Sequence, residues 1–289
     1  MSAEPARIES ATSPWPERRL RAEQLRARHP FAAELLTLYV ALLDVQEEAW
    51  SDFRESPPPP GDLPRWAEAR VLPAVVEATR AAGPATLGEA AGDRLAAGTA
   101  RGALEGWLAG AELDPVDRYL ARASLAAPLE ALGEGAGAEC DAERGGEDGL
   151  LCPCCGGLPQ LSCIASSGEE LVSGKRSLLC VRCGSSWSWS RSVCPACGET
   201  DEARLEVHGE QWQGPVSGNG HGDGHADARP VFPHLRVAAC TTCSRYLIEV
   251  DMQRDARAVP EVDELAALPL DLYATDQGLT KVTPNLMGF

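Results

Sequence analysis

A chain of 289 residues carrying a formal net charge of −17 and a pI near 4.7 is a poor partner for nucleic acid or anionic lipid, and its length allows two domains with cores of their own. Its first residues, MSAEPARIES, lack a basic start followed by an apolar run, so no secretory signal is read. The most apolar stretch, FAAELLTLYVALLDVQ over 31–46, is too short to cross a bilayer and carries Glu34 and Asp44, so a cytoplasmic protein without membrane insertion is expected.

Residues 1–132 read as a helical domain, with Ala and Leu dominant. PERRLRAEQLRARHP is a charged helix stopping near Pro30. FAAELLTLYVALLDVQEEAWSDF is apolar on most faces and belongs inside a bundle. The proline run Pro57–Pro60 ends it. LPRWAEARVLPAVVEATRAAG follows, broken near Pro73 and stopped by Gly83. GTARGALEGWLAGAEL and DPVDRYLARASLAAPLEAL complete about five helices, the last with Asp114 as N-cap and Pro115 at the first helical position. Residues 133–149, GEGAGAECDAERGGEDG, read as an acidic Gly-rich linker in which Cys140 is incidental. From 150 to 250 strand-like alternation appears in LPQLSCIA, KRSLLC, SWSWSRSV and HLRVAAC. The tail, 251–289, returns to a helical pattern that Pro269 should kink or split. The fold class expected is α+β multidomain.

Ten of the eleven cysteines lie between residues 152 and 243. They include four C-x-x-C pairs: Cys152/Cys155, Cys180/Cys183, Cys194/Cys197 and Cys240/Cys243. Three of the pairs run straight into glycine, the signature of a metal knuckle, in which two thiolates three positions apart grip one ion and the backbone turns open just after. Four knuckles make two closed four-thiolate sites. Loop lengths favour pairing the first with the second, in a unit over 150–193, and the third with the fourth, in a unit over 194–250. A cross-brace is the alternative. Zinc-ribbon-like or rubredoxin-like units are implied, and both iron and zinc accept four thiolates in a tetrahedron. Cys154 and Cys163 read as bystanders. The Gly/His-rich run 214–230, with His221 and His225, reads as a surface insertion.

A thioredoxin-like redox pair would occur once, after a strand, and not four times. Trp187 and Trp189 share one side of a strand and would roof the metal sites. Residues 152–250 hold eight Lys/Arg against ten Asp/Glu, so they do not form a basic nucleic-acid surface. No Ser-His-Asp set and no phosphate loop is present, so no catalytic residue is named and no enzyme is expected.

Taken in order, CPCCGGLPQLSCI, GKRSLLCVRCGSSWSWSRSVCPACG with Trp187 and Arg191, RVAACTTCSRYLIEVD, the Leu-rich tail and the early helix ending in Gln46 resemble the formate dehydrogenase accessory protein family, FdhE. The resemblance implies a helical domain followed by two rubredoxin-like units. It implies iron in two mononuclear sites, held by the eight cysteines of the knuckles. It also implies a cytoplasmic maturation factor that binds the catalytic subunit of a respiratory formate dehydrogenase. Two features depart from the family pattern: the insertion at 214–230, and TPNL in place of an Asn-Pro ending. A rubredoxin-like electron carrier and a zinc-ribbon nucleic-acid module are the alternative readings.

Overall fold

The computed structural model describes residues 13–140, 149–165, 174–210 and 230–289. The first part is helical: α1 (Trp15–Arg28), α2 (Ala33–Glu55), α3 (Leu63–Arg70), α4 (Leu72–Ala82), α5 (Ala85–Ala96), α6 (Ala100–Ala109) and α7 (Pro115–Leu132). The local signals act as expected. Pro57 follows the end of α2, Pro73 sits at the start of α4 and Gly83 stops it. Asp114 caps α7, its Oδ1 accepting the Val116 N–H at 3.0 Å. Helix α5 was not among the expected helices; Gly88 and Gly92 weaken ATLGEAAGDRLA as a helix-forming stretch. The glycines are there for close packing: a Cβ on Gly92 would fall 1.8 Å from the Arg80 guanidinium of α4. Helix α2 buries Leu36, Leu38, Leu42 and Leu43 at the bundle centre, each contributing roughly 1.5–3 kcal/mol of transfer free energy.

The second part is built on strands: β1 (Pro159–Ile164), β2 (Arg176–Cys180), β3 (Ser186–Ser188), β4 (Leu205–Gly209), β5 (Leu235–Cys240) and β6 (Arg245–Asp251). They form one sheet in the order β3-β2-β1-β6-β5-β4, with a short β7 (Thr280–Lys281) beside β6. The β1–β6 pair is parallel and joins what would otherwise be two antiparallel ribbons. Alternation sets the two faces. Val237, Ala239, Tyr246, Ile248 and Val250 share a core with the helices. Leu178, Leu247 and Val282 lie on the opposite face with Trp187 and Trp189.

The tail splits at Pro269 as expected, into α8 (Pro260–Ala266) and α9 (Leu268–Asp276). Its acidic residues do not face solvent. Asp263 and Glu264 are 0% exposed and Asp271 is 4%. Asp263 takes hydrogen bonds from Arg21 of α1 (Nε to Oδ2, 2.9 Å) and pairs with His234 (2.7 Å). Lys281 lies 2.8 Å from Glu264 and 3.0 Å from Asp271, and the Tyr246 hydroxyl donates to Asp271 at 2.9 Å. Gln160 donates to Glu264 and accepts from Arg122 of α7 at 3.0 Å, while Arg122 also donates to the Pro284 carbonyl at 2.6 Å. Helices, sheet and tail are thereby joined by two buried polar chains, one through Asp263 and one through Glu264. Removing one partner from such a chain leaves an uncompensated charge, at a cost of about 3–5 kcal/mol. The TPNL ending is part of this anchor, with Asn285 buried and its Oδ1 accepting the Met287 N–H at 3.0 Å.

Candidate metal centres

The eight knuckle cysteines come together as two groups, Cys152/Cys155/Cys180/Cys183 and Cys194/Cys197/Cys240/Cys243, with all sulfurs of a group within 4.8 Å of one another. The first knuckle meets the second and the third meets the fourth; the cross-brace is not formed. The Sγ–Sγ distances are 3.8 Å for Cys152–Cys183, 3.4 Å for Cys155–Cys180, 3.8 Å for Cys194–Cys243 and 3.9 Å for Cys197–Cys240. A tetrahedron with metal–sulfur bonds of about 2.3 Å has edges of about 3.8 Å. A disulfide would need about 2.05 Å. The sulfurs therefore sit at the spacing of a four-thiolate metal site.

Three of the knuckles are tight turns closed on their own backbone. Gly156, Gly184 and Gly198 donate their N–H to the carbonyls of Cys152, Cys180 and Cys194 at 2.9, 3.2 and 3.0 Å. All three have φ near +70° (69°, 69° and 75°), which glycine adopts without strain. The fourth knuckle, CTTCS, has Ser244 at the corresponding position with φ 54°, the one non-glycine residue with positive φ among the described residues. The second glycine of CPCCGG has a different reason. A Cβ on Gly157 would meet the Cys180 Sγ at 2.7 Å and the Cys155 Sγ at 3.3 Å.

The first group is fully buried, its cysteines 0–3% exposed, in a core shared with Leu104 and Trp107 of α6 and Leu125 and Leu129 of α7. Arg182 donates to the Cys155 carbonyl at 2.9 Å and stacks over Trp107 at 5.8 Å. Cys140 does not stand apart as expected. Residues Gly133–Glu139 form a 3-10 helix that carries Cys140, buried, against this group. Hydrogen bonds accepted first from Cys140, then from Cys152 and Cys180, push the Cys155 thiol down to about 3. The Cys140 thiol is raised, by its hydrogen bond to Cys155 and by burial. Nothing in the acidic, Gly-rich sequence around Cys140 announces this placement. Cys154 and Cys163 do behave as bystanders. Cys154 points to the Gly133 carbonyl at 3.2 Å, and burial pushes Cys163 up to about 12.

The second group lies at the other end of the sheet and is open on one side. Cys194 and Cys240 are buried, Cys243 is half-buried and Cys197 is exposed. Glu199 ties its two knuckles together. Its Oε1 accepts the N–H groups of Thr200 and Asp201, both at 2.9 Å, and its Oε2 accepts the Thr242 hydroxyl at 2.7 Å. These bonds hold its carboxyl below the usual range. Trp187 packs against the core of the first group, and Trp189 donates its indole N–H to the Val193 carbonyl at 2.9 Å beside the second. His221 and His225 lie outside the described residues, as does nearly all of the 214–230 run.

A family model described as the FdhE C-terminal domain matches residues 223–287. The resemblance read from the motifs is borne out. The protein FdhE homologue of Aquifex aeolicus is 29% identical over 138 residues, 48% of this chain and 41% of its own length. That of Pseudomonas aeruginosa is 31% identical over 142 residues, 49% and 40% of the two chains. The matched part of the chain thus spans about two fifths of these relatives. The crystal structure of the FdhE protein from Pseudomonas aeruginosa superposes with a TM-score of 0.65 at 24% identity, covering 96% of this chain and 97% of that one. The two share a fold: a helical N-terminal region followed by a part bearing two four-cysteine groups in this chain. Among the described residues no helix is long and apolar enough to cross a membrane.

Proposed function

We propose that this chain is a maturation factor that binds the catalytic subunit of a respiratory formate dehydrogenase in the cytoplasm, and that it is not itself an enzyme. The observation that carries the reading is the pair of four-sulfur groups at tetrahedral spacing in a fold shared with an FdhE protein. Cys152, Cys155, Cys180 and Cys183 would hold one ion, and Cys194, Cys197, Cys240 and Cys243 a second. The family resemblance favours iron; the donor set suits zinc as well. Four thiolates close the coordination shell, leaving no open position for a bound water or substrate, which fits a structural or redox centre and not a hydrolytic one.

The test is co-purification. Tagged, metal-loaded full-length chain is mixed anaerobically with the catalytic subunit of a formate dehydrogenase from the same organism. Retention of the subunit, lost in a Cys197→Ala/Cys240→Ala variant or in a Cys155→Ala variant, is expected. Failure of the intact chain to retain the subunit would overturn the proposal. One observation favours a second reading, electron transfer. Exposure of Cys197 brings an edge of the second group to solvent, as a redox partner would require.

A further inference from the structure

The sheet face turned away from the helices carries a cavity of about 170 Å³ beside the second cysteine group. Cys194 and Cys240 line it, and so do four arginines, Arg176 of β2, Arg191, Arg236 of β5 and Arg245 at the start of β6, with two carboxylates, Glu206 of β4 and Glu249 of β6. Strand register explains the convergence. Arg236 is paired with Glu249, and Arg176 with Ile164, whose other neighbour is Asp251, so these side chains rise from the same face. For a chain with a net charge of −17, four guanidinium groups against two carboxylates around one small cavity are an unusual excess of positive charge.

Two of the four are neutralised. Arg236 pairs with Asp251 at 2.5 Å, and Arg176 lies 3.2 Å from Glu249. The Arg176 atom facing Glu249 is Nε, which makes this ion pair without an aligned hydrogen bond to a described residue. Burial pushes the Arg176 pKa down; Glu249 opposes this and the charge of Arg191 adds to it. The other two have no carboxylate partner among the described residues. Among the described residues Arg191 donates only to the Gly174 carbonyl, at 2.7 Å. The exposed Arg245 side chain makes no hydrogen bond or ion pair with a described residue. Guanidinium groups offer forked donors that match the oxygens of carboxylate and phosphate. The cavity is smaller than the roughly 300–1,000 Å³ of sites for drug-sized ligands. It suits a compact oxyanion and excludes a nucleotide.

We propose that this cavity is a binding site for a small oxyanion of the carboxylate or phosphate class, gripped by Arg191 and Arg245 and backed by Arg176, next to the second cysteine group. The site goes beyond the maturation role proposed above and does not depend on it. It gives a reason for the Arg in the SWSWSR stretch, which no knuckle requires.

The test is calorimetric titration of the metal-loaded full chain with inorganic phosphate and, separately, with sodium acetate, at ionic strength held constant with chloride. Saturable one-to-one binding of at least one anion is expected. It should weaken at least tenfold in both Arg191→Ala and Arg245→Ala, with metal content and thermal midpoint unchanged. Preference for phosphate or for acetate identifies the class. The arginines could instead serve only to offset the charge of the thiolate centre. The substitutions would then alter metal retention, and neither anion would bind saturably. Absence of saturable binding, or binding indifferent to both substitutions, overturns the proposal.

Discussion

The two cysteine groups are built from the same knuckle but set in opposite surroundings. The first is sealed against α6 and α7, with all four thiols buried and a fifth thiol, Cys140, against it. The second stands at the far end of the sheet with Cys197 exposed and an arginine-lined cavity at its side. The difference shows that spacing alone determines whether a tetrahedron can form, while packing determines what it is for. A sealed site contributes folding energy to its neighbours; an open one can meet another molecule.

The largest expected effect follows directly. Structural metal binding contributes on the order of 10–16 kcal/mol in small domains, comparable to or above a whole protein's stability of about 5–15 kcal/mol. Cys155→Ala should therefore disorder the first group together with α6 and α7, with loss of far-ultraviolet helicity and of the near-ultraviolet signal of Trp107. Cys197→Ala should keep both signals. The sequence alone suggests that 150–250 would unfold on chelation while the helices persist. The shared core makes that separation unavailable at the first site. Equal damage from the two substitutions would erase the contrast.

Chelation kinetics sharpen it next. A chelator should strip the open second site at least tenfold faster than the sealed first one, read as two phases of metal release. Gly157→Ala comes third. Its Cβ would crowd Cys180 and Cys155, at a cost of about 1–3 kcal/mol, and should weaken the first metal while leaving the second untouched.

Acid should separate the sites by less. In the first group Cys152, Cys155 and Cys183 are held below the ordinary thiol value and Cys180 above it. In the second Cys240 is lowered, while burial raises Cys194 and Cys243. Protons compete with metal for thiolates, and the exposed Cys197 gives them access to the second group while the first is sealed. As pH falls, the second metal should leave first. Simultaneous release would contradict this ordering. The smallest effect is expected at Ser244. An L-residue in the left-handed region costs roughly 1–2 kcal/mol, and glycine's extra chain entropy returns about 0.5–1 kcal/mol of that. Ser244→Gly should raise the thermal midpoint slightly and retain both metals.

Much of this was legible in the chain. The knuckles and their pairing, the N-cap at Asp114, the break at Pro73 and the split at Pro269 all rest on local chemistry that residue types declare. What stayed hidden depends on contacts distant in sequence. Helix α5 is missed until Arg80 is seen lying over Gly92. Strands β4 and β6 escape notice. Burial on both faces removes the alternation from RYLIEVD, and LEVHG has little apolar content. Asp263, Glu264 and Asp271 look like a solvated helix face because their partners, Arg21, Gln160 and Lys281, come from other elements. Cys140 gives no signal at all, since only the 3-10 turn after α7 carries it back to the first group.

The account rests on two independent four-thiolate sites, and metal stoichiometry tests that most directly. Anaerobically purified chain should hold two metal ions, with no acid-labile sulfide. The double variant Cys152→Ala/Cys180→Ala removes two ligands of one group and should hold one ion, still bound by Cys194, Cys197, Cys240 and Cys243. An intact chain without bound metal, a sulfide-containing cluster, or a double variant whose second group is folded yet empty would contradict the account.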